Sequence, residues 1–194
     1  MAHPPRRRTA RIRSRLPARL VRRFMRREEG AAAVEFALVA LPFLALTFAI
    51  LETALVFFAG QTLEAAVADS ARLIMTGQAQ TANYAAKDFK DQVCSRIASL
   101  FDCQTGVYVD VKSYANFGAI TSAQPVTDSQ FDPSKVGFSL AGPGCIQVVT
   151  LYYQWPIYVS LLGNNLANLN GSYRLLAATA VFRNEPYATS GGCT

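Results

Sequence analysis

The chain has 194 residues and a formal net charge of +6, with 51% hydrophobic and 16% charged residues. That balance excludes an extended polyelectrolyte and leaves material for one modest core. The basicity belongs to one end: eleven arginines from Arg6 to Arg27 against Glu28 and Glu29 give residues 1–29 a net +9, whereas residues 31–194 hold eight Lys/Arg against eleven Asp/Glu, a net −3. Clustered arginine is favoured on nucleic acid through counterion release. This tail, however, has Phe24 as its one aromatic, shows no recognition motif and abuts an apolar run, so no nucleic-acid partner is expected.

From Phe36 to Leu51 there is no charged residue. At about 1.5 Å per residue the run spans roughly 24 Å of helix, short of the roughly 30 Å hydrocarbon core, and extension back to Ala31 supplies the missing length. Glu35 then lies about one turn inside the apolar segment. A charged carboxylate at the centre of a span costs on the order of 2.5–3.5 kcal/mol, so it calls for a reason beyond snorkelling to the near interface. Glu52 falls near the far boundary, where it is expected to reach headgroups or water. Pro42 and Thr47 are tolerable inside a span. The arginine cluster holds the preceding tail in the cytoplasm and sends everything after Leu51 to the other side.

Targeting segments compete for the same features. A mitochondrial presequence is Arg-rich and acid-poor, but this tail has a single serine and leads straight into the span. Arg22-Arg23-Phe24-Met25 lacks the Ser or Thr that precedes a twin-arginine signal. A cleaved secretory signal ending near Ala59-Gly60 is the stronger competitor, and the apolar stretch is too long for its core.

Beyond Gly60, Leu63, Ala66, Val67, Leu73 and Ile74 recur at helical spacing, with Glu64, Asp69 and Arg72 between them. The span should therefore continue as a helix out of the bilayer and end near Gly77. Tyr84, Phe89, Val93, Ile97 and Leu100 suit one face of a second helix, started by Asn83 or Thr81. The pattern changes to strands at Val107–Val111, Ile146–Gln154 and Tyr173–Phe182, although Leu175–Ala180 also fits a helix. Residues 116–144 read as a long surface excursion with at most one short strand, at Val136–Leu140. Asn164-Asn165 and Asn170-Gly171 are turn signals.

All four cysteines, Cys94, Cys103, Cys145 and Cys193, follow the span. An even number on the exported side favours two disulfides. Three connectivities are possible, and the favoured one joins Cys94 to Cys103 across a short loop and Cys145 to Cys193, which ties down the C-terminus. There is no C-x-x-C, and the sole histidine, His3, lies in the tail, so neither a metal nor a cofactor is expected.

The stretch Gly30-Ala31-Ala32-Ala33-Val34-Glu35-Phe36-Ala37-Leu38-Val39, the long helix behind it and the Ala-rich continuation Glu64–Arg72 resemble the TadE-like pseudopilins of tight-adherence (Flp-type) pilus systems, over residues 26 to about 76. The resemblance implies a pseudopilin or minor pilin at the bacterial inner membrane, single-pass, with a cytoplasmic N-terminus and a periplasmic C-terminal domain. Its implied partners are a prepilin peptidase cutting between Gly30 and Ala31, other pilin or pseudopilin subunits and the assembly platform. Glu28 and Glu29 depart from the family pattern, which commonly places a basic residue before the glycine. Glu35 becomes the fifth residue of a cut chain, where it would pair with the new amine of a neighbour, and the apolar surface from Phe36 to Phe58 would pack against other subunits' helices.

The expected fold class is α+β and pilin-like. Residues 1–30 form a leader, 31–58 a transmembrane helix and 59–77 its continuation. Residues 78–194 form an extracytoplasmic domain with a second helix and a three- to four-stranded antiparallel sheet. The exported part has no histidine, no Gly-rich phosphate loop and no nucleophile with a base, so no catalytic residue is assigned. An unprocessed, membrane-anchored binding domain and a secreted enzyme remain the alternatives.

Overall fold

A computed structural model of the chain describes residues 28–97, 99–103, 105–121, 124–159, 166–188 and 192–193. Helix α1 runs from Glu28 to Met75. The run is rich in Ala and Leu, and its polar interruptions satisfy themselves: the hydroxyls of Thr53 and Thr62 donate to the carbonyls of Ala49 and Phe58 at 2.8 and 2.9 Å. Pro42 sits inside the helix. The chain divides into two compact units, Met1–Ala45 and Leu46–Thr194.

In the second unit α1 ends where the sequence places the stop. Gly77 has φ +78°, a left-handed conformation that glycine adopts without strain, and a Cβ there would lie 2.5 Å from the Tyr187 ring. A four-residue helix, α2 (Gln78–Thr81), follows, and then the amphipathic α3 (Ala86–Ile97). Phe89, Val93 and Ile97 are buried, as their spacing predicts. Neither proposed cap starts α3. The Thr81 hydroxyl donates to Gly77 O within α2, and Asn83 takes a left-handed φ of 52°. The Asp88 carboxylate instead accepts from the Ala85 N–H at 2.9 Å, a first-turn acid satisfying an otherwise orphan donor.

Strands β1 (Val107–Tyr114), β4 (Ile146–Pro156) and β5 (Tyr173–Arg183) form an antiparallel sheet in the order β1-β4-β5. The Leu175–Ala180 stretch is therefore strand, its length and β4 pairing overriding a helix-compatible composition. Register brings Val109 opposite Leu151 and Leu151 opposite Ala178, so alternate residues of all three strands line one face. That face, α3 and the Val56–Ile74 part of α1 share one core that includes Leu63, Phe89, Val93, Ile97, Val107, Val149 and Leu151.

The 116–144 excursion differs from expectation. A short hairpin, β2 (Val126–Thr127) with β3 (Gln130–Phe131), turns through Asp128 and Ser129, both at positive φ. Asp-Ser is a weak turn signal beside Asn-Gly or Asp-Gly, which is why two-residue strands escaped the pattern. Phe131 makes the hairpin worthwhile: its ring lies 4.7 Å from Tyr108 and 5.7 Å from Tyr152 on the outer face of the sheet. Val136–Leu140 is not a strand. It contributes one parallel bridge, Phe138 to Val111. The Asp110 carboxylate holds this segment by accepting from Gly137 N at 2.8 Å and from Lys112 Nζ at 2.7 Å. The same hydrogen bond keeps the Lys112 ammonium above its ordinary pKa, with burial opposing it. A raised lysine stabilises the fold below its unfolded value and loses that contribution as pH rises through the folded one, so the pair persists into strongly alkaline solution. Asn170-Gly171 does turn, with Gly171 at φ +78°, whereas Asn164-Asn165 lies outside the described residues.

Both disulfides join the favoured pairs, Cys94–Cys103 and Cys145–Cys193, at sequence separations of 9 and 48. The second fastens the C-terminal segment, which also bonds through Glu185 N to Met75 O at 2.9 Å and through Asn184 to the carbonyls of Ala141 and Gly142. Replacing Cys145 and Cys193 together by serine should cost about 4 kcal/mol on a loop-entropy basis and lower Tm by about 10 °C. Calorimetry of the purified protein checks this. An unchanged Tm, or peptide mapping that joins Cys94 to Cys145, contradicts the assignment.

Candidate functional site: the exposed half of helix α1

Gly30 and Ala31 are helical, within the described part of α1, Glu28–Met75. From Ala31 to Val39 every residue is exposed, with Phe36 at 74% and Leu38 at 71%. Large exposed apolar side chains continue along the helix through Phe43, Phe48 and Ile50 to Phe57 and Phe58. A helix this apolar and left uncovered by the described residues belongs either in lipid or against other helices. By length and hydropathy, Gly30–Met75 is also the one candidate membrane span among the described residues. Ala37 and Ala40 leave narrow strips for close helix approach.

Glu35 stands in this surface, exposed, with no hydrogen-bond or ion-pair partner among the described residues. The structure brings Gly30, Ala31, Glu35 and Phe36 together on two successive turns of one helix, as their spacing requires. The four cysteines belong elsewhere, to the body of the second unit.

Glu52 behaves differently from its expected role. It is buried at 7% exposure, and its carboxylate accepts from the backbone N–H of Tyr158 at 2.5 Å and of Val159 at 2.9 and 3.1 Å. It does not reach for water. Chain-fold geometry decides this: the segment after β4 returns to α1, Ile157 enters the core, and the next two amides point at the carboxylate. No local sequence signal announces a partner more than a hundred residues away.

Among the described residues there is no group of three or more His, Cys, Asp or Glu side chains arranged to hold a metal ion. What the described residues of this helix offer is a long apolar face with one carboxylate, Glu35, in it.

A long apolar N-terminal helix leading into an α+β domain defines the class. Residues 30–72 of α1 match the family model described as TadE-like protein. Comparison with the curated proteins and with the solved structures finds no significant match.

Proposed function

We propose that this protein is a pseudopilin or minor pilin of a tight-adherence (Flp-type) pilus, acting by assembly and not by catalysis. The observation that carries the reading is the TadE-like match over the helix that presents Gly30, Ala31 and Glu35 on an uncovered apolar surface. In this reading a prepilin peptidase cuts between Gly30 and Ala31. Glycine supports one requirement of that step: the helix must open locally for the scissile bond to enter a cleft, and glycine, the poorest helix former after proline, lowers the cost of opening.

Cutting leaves an α-amine on Ala31, with an intrinsic pKa of about 7.7–8. Glu35, without a partner among the described residues, then pairs with the Ala31 amine of a neighbouring subunit, compensating two charges in a poor solvent. The faces around Ala37, Ala40, Ala45 and Ala49 pack against other subunits' helices, and the second unit lies on the periplasmic side of the inner membrane. Removing the chain from its host should abolish surface pili, with restoration on re-supply, as counted by electron microscopy. Wild-type pilus numbers in its absence would contradict the reading.

A further inference from the structure

The turns of α1 just after the charge-free run are two-faced. Val56 and Ala59 are buried in the core, whereas Leu51, Leu55, Phe57 and Phe58 are 53%, 52%, 70% and 61% exposed. Past Phe58 the exposed residues turn polar or small: Gln61, Glu64, Ala65, Ala68 and Asp69. Glu52, the one charge in this stretch, is taken off the surface by the amides of Tyr158 and Val159. The same clamp holds Tyr158 beside the helix with its side chain outward, the residue being 83% exposed, while Ile157 on one side is buried. Exposed apolar surface therefore continues beyond Leu51 and is widened there by an aromatic ring from a different part of the chain.

Helix length says what covers it. From Val34 to Phe58 the helix covers roughly 36 Å at about 1.5 Å per residue, more than the roughly 30 Å hydrocarbon core and less than the roughly 40–45 Å of a bilayer with its headgroups. The excess falls in the headgroup layer, where the amphipathic ring of tyrosine is favoured.

We propose that Leu55, Phe57, Phe58 and Tyr158 form a lipid-interface collar, which seats the second unit directly on the bilayer surface, with the Glu52 clamp as the positioning contact. The bilayer then ends at Phe58, past Glu52. This inference rests on α1 being a membrane anchor. It assigns a partner, the glycerol and headgroup layer of a phospholipid bilayer, to Tyr158 and the last apolar turns of α1.

Trp155 is the chain's one tryptophan, so a Trp155→Phe, Tyr158→Trp variant of the full chain carries a single reporter at the collar. It is reconstituted into phosphatidylcholine vesicles with or without acyl chains brominated near the glycerol, and vesicle flotation is measured on the same sample. The expected result is co-flotation, quenching of the emission by about half in the brominated vesicles, and little quenching by iodide. Addition of Glu52→Ala, which leaves two amides without their acceptor, should free the ring to iodide.

Failure to float overturns the anchoring reading and this inference with it. Flotation with iodide quenching and no bromine effect overturns this inference alone, because the ring is then in water. Flotation with neither quencher effective also overturns it, by showing the ring covered by protein. Lipid quenching left unchanged by Glu52→Ala overturns the positioning role of the clamp.

Discussion

A Gly30→Leu variant is expected to accumulate as the full-length precursor, with cleavage slowed by about 100-fold or more. A side chain at the position before the scissile bond displaces that bond from the peptidase's reacting groups, and a misplacement on the order of 1 Å costs about that factor. Leucine also favours helix at this position, which must open before the cut, by about 1 kcal/mol relative to glycine. Membrane insertion should be unaffected, because the change adds apolar surface at the end of an apolar helix. Immunoblots of membranes from a strain with active peptidase provide the check. Normal conversion of the variant to the shorter form would remove Gly30 from the site.

Glu35→Gln is expected to separate processing from assembly. The substitution removes a charge from the apolar stretch, so insertion becomes easier, and it leaves Gly30 and Ala31 in place, so cleavage continues. It takes away the carboxylate that would meet a neighbour's amine. An uncompensated amine buried between helices costs several kcal/mol, enough to reduce surface pili by more than about tenfold. Electron microscopy of shed and cell-bound filaments reads the effect. Normal processing together with wild-type pilus numbers would return Glu35 to a residue that merely snorkels.

Local periodicity made the body of the fold legible. Leu63, Ala66, Val67 and Ile74 on one helix face, Phe89, Val93 and Ile97 on another, and the alternating Val107–Val111 all stand in the core that the structure contains. Gly77 was readable because only a left-handed residue ends a helix with that turn. What escaped depends on partners distant in the chain. The β2–β3 hairpin exists because Phe131 finds Tyr108 and Tyr152, and its Asp128-Ser129 turn carries no glycine to advertise it. The caps of α3 failed because Thr81 and Asn83 were judged without the short α2, which uses the first and reverses the chain at the second.

The candidate site was legible for a different reason. Its residues lie within a few positions of one another on one helix, so spacing alone brings Gly30, Ala31, Glu35 and Phe36 together, and a lone carboxylate in an apolar run stands out without any tertiary information. Glu52 shows the converse. It carries the same chemistry on the same helix, yet its environment is set by the amides of Tyr158 and Val159, which no count along α1 could supply.

Intact-mass and N-terminal analysis of the membrane-purified protein, taken from a host with active prepilin peptidase, tests the central claim most directly. The account predicts a chain beginning at Ala31, with both disulfides intact. A chain that still begins at Met1 or Ala2, or that has been cut near Ala59-Gly60, would contradict it.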